Sequence, residues 1–120
     1  MSYTKPESVT SPKKHWTLLE VLRDTGSGGD SLAVGKWYGA TVLAMRWNGD
    51  QANSLGNPQS RGLPTWFVVP EPYYDQIIAL LPSEKKELAK TYLKRRQQEE
   101  AKVLHGDDRG NLSTVSGKAG

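Results

Sequence analysis

The stretch LAVGKWYGATVLAMRWNG, residues 32–49, decides the fold. Gly39-Ala40 separates two apolar runs, and glycine at the first position of a two-residue loop suits a type II′ hairpin turn, which needs positive φ there. That turn sets a register in which Tyr38 faces Thr41, Trp37 faces Val42, Gly35 faces Ala44, Val34 faces Met45, Ala33 faces Arg46 and Leu32 faces Trp47. Side chains alternate across a strand, so two faces separate. Leu32, Val34, Leu43, Met45 and Trp47 make a core face. Ala33, Gly35, Trp37, Val42, Ala44 and Arg46 make the other, small in its middle, which a backbone, a helix or a ligand can approach closely.

Outward from the hairpin the pattern extends to an α+β domain. HWTLLEVLRD, residues 15–24, fits a helix capped near Ser11-Pro12 or a strand in which Trp16, Leu18 and Leu22 alternate. The strand is preferred because TGSGGD follows it as a turn. Downstream, TWFVVP is a short strand bounded by Pro64 and Pro70, neither of which can donate a ladder hydrogen bond. Two helices follow. Pro72 suits the first helical position, and Tyr73, Ile77, Leu80 and Leu81 form the stripe of helix one. Helix two, over 83–104, spans roughly 33 Å at about 1.5 Å per residue. Leu88, Ala89, Tyr92 and Leu93 give its first half an apolar face, while KRRQQEEAK leaves its second half to project into water. The expected architecture is a small antiparallel sheet of about four strands, curled towards a partly open barrel, then two C-terminal helices.

Length and composition frame this reading. One domain, residues 15–104, lies between a flexible arm, 1–14, and a flexible tail, 105–120, both poor in residues to bury. The chain has no cysteine, which excludes disulfides, thiolate metal sites and cysteine nucleophiles. The first residues lack the apolar stretch of a secretory signal, and no window approaches the roughly 20 apolar residues of a membrane span. A soluble, cytoplasmic protein is expected. Net charge is +3, but between Trp16 and Pro70 four basic side chains balance four acidic ones. The surplus lies in the arm and in residues 83–105. A nucleic-acid reader usually concentrates basic residues on one face of its folded body, and this body is neutral.

The candidate sites start with the loop QANSLGNPQSRGL, residues 51–63. Structureless loops of this length are uncommon in compact domains and often functional. Gly56 and Gly62 suit a backbone that turns amides towards an anion, with Arg61 adding a planar fork of donors. The plainer account pairs Arg61 with Asp50 and staples the loop to the sheet. Arg46 sits on the small-residue face just before the loop, with Trp37 at the far end. Arginine and tryptophan are enriched at binding hot spots, although a helix laid over that face leaves Arg46 only snorkelling at its edge. Asn57, Gln59 and Ser60 complete the binding candidates. Of the four tryptophans, Trp47 and Trp66 are expected in the core, and Trp37 is open. Lys86, Lys90 and Lys94 line one side of helix two with Arg95 nearby, either as a ladder for phosphates or as a solvated helix face.

Catalytic groups are sparse. His15 and His105 sit at the edges of the flexible segments, and Glu20, Asp24, Asp30 and Asp50 share no regular spacing. No catalytic residue, metal site or cofactor is expected. The reading is a non-enzymatic binding or regulatory module. Its partner is another protein, or a second copy, engaged through the sheet face, the 50–63 loop and helix 83–104. The alternative partner is nucleic acid, held by Arg46, Arg61 and the lysine stripe.

Overall fold

The computed structural model describes residues 3–94. Three long strands, β1 (Trp16–Asp24), β2 (Asp30–Trp37) and β3 (Ala40–Trp47), form an antiparallel meander. A ribbon of two short strands follows, β4 (Gln59–Ser60) and β5 (Leu63–Pro64), and then β6 (Phe67–Val68). β6 pairs with β3, so the main sheet has the order β1-β2-β3-β6 and stays open instead of closing into a barrel. A 3-10 turn, Glu71–Tyr73, leads into α1 (Tyr74–Ile78). A second helix, α2, runs from 83 to the last described residue, 94. The expected continuation of that helix to 104 and the tail 105–120 lie outside the described residues.

The hairpin forms, with its turn one residue earlier than expected. Trp37 pairs with Ala40, Gly35 with Val42, Val34 with Leu43 and Leu32 with Met45. Tyr38 and Gly39 occupy the turn at φ +52° and +85°, the two positive values of a type I′ turn. A tyrosine rarely adopts such a φ. It is held here by His15, whose carbonyl accepts the Tyr38 N–H at 2.8 Å and whose ring stacks on the phenol at 4.1 Å. Each β2 residue therefore meets a β3 residue two positions earlier than expected. A slide of two is a full pleat period, so every side chain keeps its face.

One face carries Leu32, Val34 and Leu43, packed with Leu22, Tyr74, Ile78, Leu81 and Ala89. The helices lie on this side. Of the expected stripe, Ile77 and Leu81 pack on the core, whereas Tyr73 and Leu80 face water and Tyr74 and Ile78 are buried beside them. The tighter 3-10 entry changes the phase of the turns that follow, and the Leu43 N–H donates to the Tyr74 hydroxyl oxygen.

The small-residue face is covered too, but not by a helix. Trp16, 4% exposed, lies with Trp66 and Val9 over Ala33, Val42 and Ala44. A Cβ on Gly35 would fall within 3.0 Å of three Trp16 ring atoms, Cη2, Cζ2 and Cζ3. Glycine stands there because the indole occupies the space. Two bulges in β1, between Leu18 and Glu20 and between Val21 and Arg23, interrupt its alternation. They let Trp16 and Leu18 serve this layer while Leu19 and Leu22 serve the helix side.

The leading segment packs on the body over the residues that are described. Pro6 and Val9 are buried. Thr4 donates its N–H to the Asn48 carbonyl at 3.0 Å and its hydroxyl to the Ser54 carbonyl at 2.8 Å. Trp66 Nε1 donates to the Val9 carbonyl at 2.9 Å. A polar composition concealed one well-placed valine and a backbone with partners to satisfy.

This packing has a direct test by chemical denaturation. Gly35→Ala is expected to destabilise the protein by about 1–3 kcal/mol, the usual range for overpacking. The cost should shrink in a Trp16→Leu background, because the two residues share one space.

Candidate functional site

The far end of β3 carries Arg46-Trp47, followed by Asn48, and alternation sends Arg46 and Trp47 to opposite sides of the sheet. Arg46 is 3% exposed. Nη1 donates to the Thr65 carbonyl, and to that of Pro58 at 3.4 Å, while Nη2 donates to the Leu55 carbonyl. Nε has no acceptor among the described residues. Burial pushes its pKa below the ordinary guanidinium value, yet an arginine stays charged in proteins. The sequence expectation of Arg46 on an open face is thus corrected. It is an internal cation, and the loop turns carbonyl oxygens inward to meet it. This is the reverse of an anion cradle of amides.

Asn48 makes a second buried hub, 0% exposed. Its Nδ2 donates to Asp24 Oδ1 at 3.1 Å and to the Gly26 carbonyl at 2.9 Å, and its Oδ1 accepts from Ser31 Oγ at 2.6 Å. Together the two side chains lash the 24–30 turn and the long loop to the end of the sheet. The loop is braced from within as well. Asp50 Oδ1 accepts from the Ala52 and Asn53 N–H groups at 2.9 and 3.0 Å. Gln59 Nε2 donates to the Gly56 carbonyl at 2.9 Å and to Asn53 Oδ1 at 3.2 Å. Asn57 and Trp47 exchange backbone hydrogen bonds at 2.8 and 3.1 Å. Gly56, at φ +68°, has no room for a Cβ, which would come within 3.0 Å of the Trp47 carbonyl oxygen and Arg46 Nη2.

The side of the sheet opposite Arg46 holds what the expected core placement of Trp47 misses. Trp47 is 62% exposed and Phe67 52% exposed. With Met45, Pro58, Asn57 and Asp30 they line a cleft of about 320 Å³ that also touches Arg46. Length explains the bare end. β3 has eight residues and spans about 27 Å at roughly 3.4 Å each. α1 has five and covers only about 8 Å. Pro72 and Pro82 bound the region of α1, and their spacing is the sequence signal that its helix is too short to roof the whole face.

The remaining candidates scatter. Arg61 and Gly62 form the tip of the β4-β5 ribbon at φ +54° and +79°. Arg61 is exposed and forms neither the expected pair with Asp50 nor another among the described residues. Trp37 and Ser60 line a different pocket with Trp16 and Trp66. Lys90 and Lys94 line a groove of about 440 Å³ that also holds Glu71 and Asp75, and Lys86 is half-buried. Arg95 lies outside the described residues. The structure therefore brings Arg46 and Asn57 to one cleft, Trp37 and Ser60 to another, and the lysines to neither. In comparisons with known proteins, no family model, no curated protein and no solved structure matches the chain.

Two substitutions separate the roles of the arginines. Arg46→Lys is expected to cost about 3 kcal/mol or more, because a single ammonium cannot reach carbonyls on three sides and would remain a poorly paired buried charge. Arg61→Ala should change unfolding free energy by no more than about 0.5 kcal/mol, the scale of a surface substitution. Thermal and urea melts read both.

Proposed function

We propose that the chain is a non-enzymatic binding module that recognises another protein through the cleft of Trp47, Phe67, Met45 and Pro58. The exposure of Trp47 carries the reading. A large indole left mostly in water beside a second exposed aromatic forms an apolar patch of the kind that marks interaction sites. Tryptophan is also the side chain most often dominant in binding energy.

Rigidity supports the same reading. The Arg46 and Asn48 networks fix the wall of the cleft before a partner arrives, so little ordering entropy is lost on binding. Its size suits a single apolar anchor side chain, with Asn57 and Asp30 at the rim to orient the surrounding backbone. The nucleic-acid alternative is less well supported. Two of its lysines share their groove with Glu71 and Asp75, whose charges oppose phosphate binding.

Selection of peptides from a random library on the full chain tests the proposal. Enriched peptides should carry an aromatic or large aliphatic anchor, perturb the amide resonances of Met45, Trp47, Asn57 and Phe67, and lose binding to the Trp47→Ser variant. Peptides that bind that variant as well as the parent would overturn it. Trp47→Ala should meanwhile cost under about 1 kcal/mol of stability, whereas Trp66→Ala, at a buried site, should cost about 3–5.

A further inference from the structure

On the sheet face away from the helices, Trp16, Trp37 and Trp66 wall a pocket of about 210 Å³, with Pro12, Ser60 and Thr65 at its sides. We propose that this pocket binds a proline-rich segment of another protein in the polyproline II conformation, at a site separate from the Trp47 cleft.

Hydrogen-bonding chemistry selects the ligand. Trp16 Nε1 is buried and has no acceptor among the described residues. An indole nitrogen only donates, and serine and threonine hydroxyls can donate beside it. A run of prolines is the converse: carbonyl acceptors with no N–H, carried on apolar rings that pack against aromatic faces. No charged side chain lines the pocket, so a cationic or anionic ligand finds no counter-charge. Sugars need forked groups that donate and accept at neighbouring hydroxyls, and the pocket lacks carboxylate and carboxamide side chains.

The adjoining indole already displays this mode of contact. Trp66 lies 5.9 Å from Trp16, tilted by 31°, and donates to the Val9 carbonyl of the protein's own leading segment. That segment enters through extended Lys5, at φ −70° and ψ 135°, then turns once as a 3-10 helix over Pro6–Ser8 and buries Pro6. One tryptophan of the pair is thus satisfied by the backbone carbonyl that follows this proline-containing turn, and the other has no acceptor among the described residues. Trp16 Nε1 is enclosed, so the rim yields slightly when the incoming carbonyl seats.

The experiment titrates the ¹⁵N-labelled full chain with acetyl-octaproline amide and follows the four indole N–H resonances, assigned by single Trp→Phe variants. A saturable downfield shift of the Trp16 indole, with movement of Trp37 and none of Trp47, is expected. Trp37→Ala should weaken binding at least tenfold. Ser60→Phe, at an exposed position where added bulk closes the mouth, should do the same with folding retained. Trp47→Ser should leave the affinity unchanged, which separates this site from the cleft. The proposal is overturned by an unmoved Trp16 at millimolar peptide or by shifts gathered on Trp47. An equal response to a glycine–serine peptide of the same length, or a response to a soluble oligosaccharide in place of the proline peptide, would overturn it too.

Discussion

A guanidinium enclosed by protein needs acceptors, and Nη1 and Nη2 of Arg46 find them in backbone carbonyls of Leu55, Pro58 and Thr65. A buried charge without such compensation would cost several kcal/mol. The loop is therefore not free to take any path. It must pass close around the end of β3 with its oxygens facing inward. Gly56 permits that approach, since any side chain there would strike the Trp47 carbonyl or the guanidinium itself. Once the loop is so drawn in, Asn57 pairs with Trp47 and Pro58 comes to stand beside the indole. Both the proposed binding cleft and the order of the loop descend from this one internal cation.

The sequence discloses the fold class for a simple reason. Period-two alternation over β2 and β3 is strong, and the faces it assigns survive a turn placed one residue out. The turn itself was not readable. Gly39 advertises positive φ, but Tyr38 does not, and what holds Tyr38 there is His15, a residue far back along the chain. The helix-one stripe was legible only in half, at Ile77 and Leu81, since a 3-10 turn at its entry leaves no mark in apolar spacing. For β1, two bulges made a strand look partly helical.

The site was legible only in pieces. The length of the loop and the presence of Arg46 beside it are plain in the residues, yet the direction of the guanidinium is not, because loop carbonyls carry no sequence signature. Asn48 followed by glycine looks the same whether it turns a chain at the surface or anchors three segments from within. Trp47 shares its parity with Met45 and Leu43, and parity says which face a residue joins, not whether anything covers it there. Coverage is a question of relative lengths, and the proline-bounded region of α1 held that information in the spacing of Pro72 and Pro82.

The leading segment has a kinetic meaning beyond its packing. The β2-β3 hairpin closes over a two-residue turn and depends on local encounters alone. The contacts of Thr4 with Ser54 and of Trp66 with Val9 join residues 50 and 57 positions apart. Closing loops of that size is entropically unfavourable until something else has already drawn their ends together. The local contacts of the meander therefore close at lower entropic cost than those of the strap over Trp16 and Trp66.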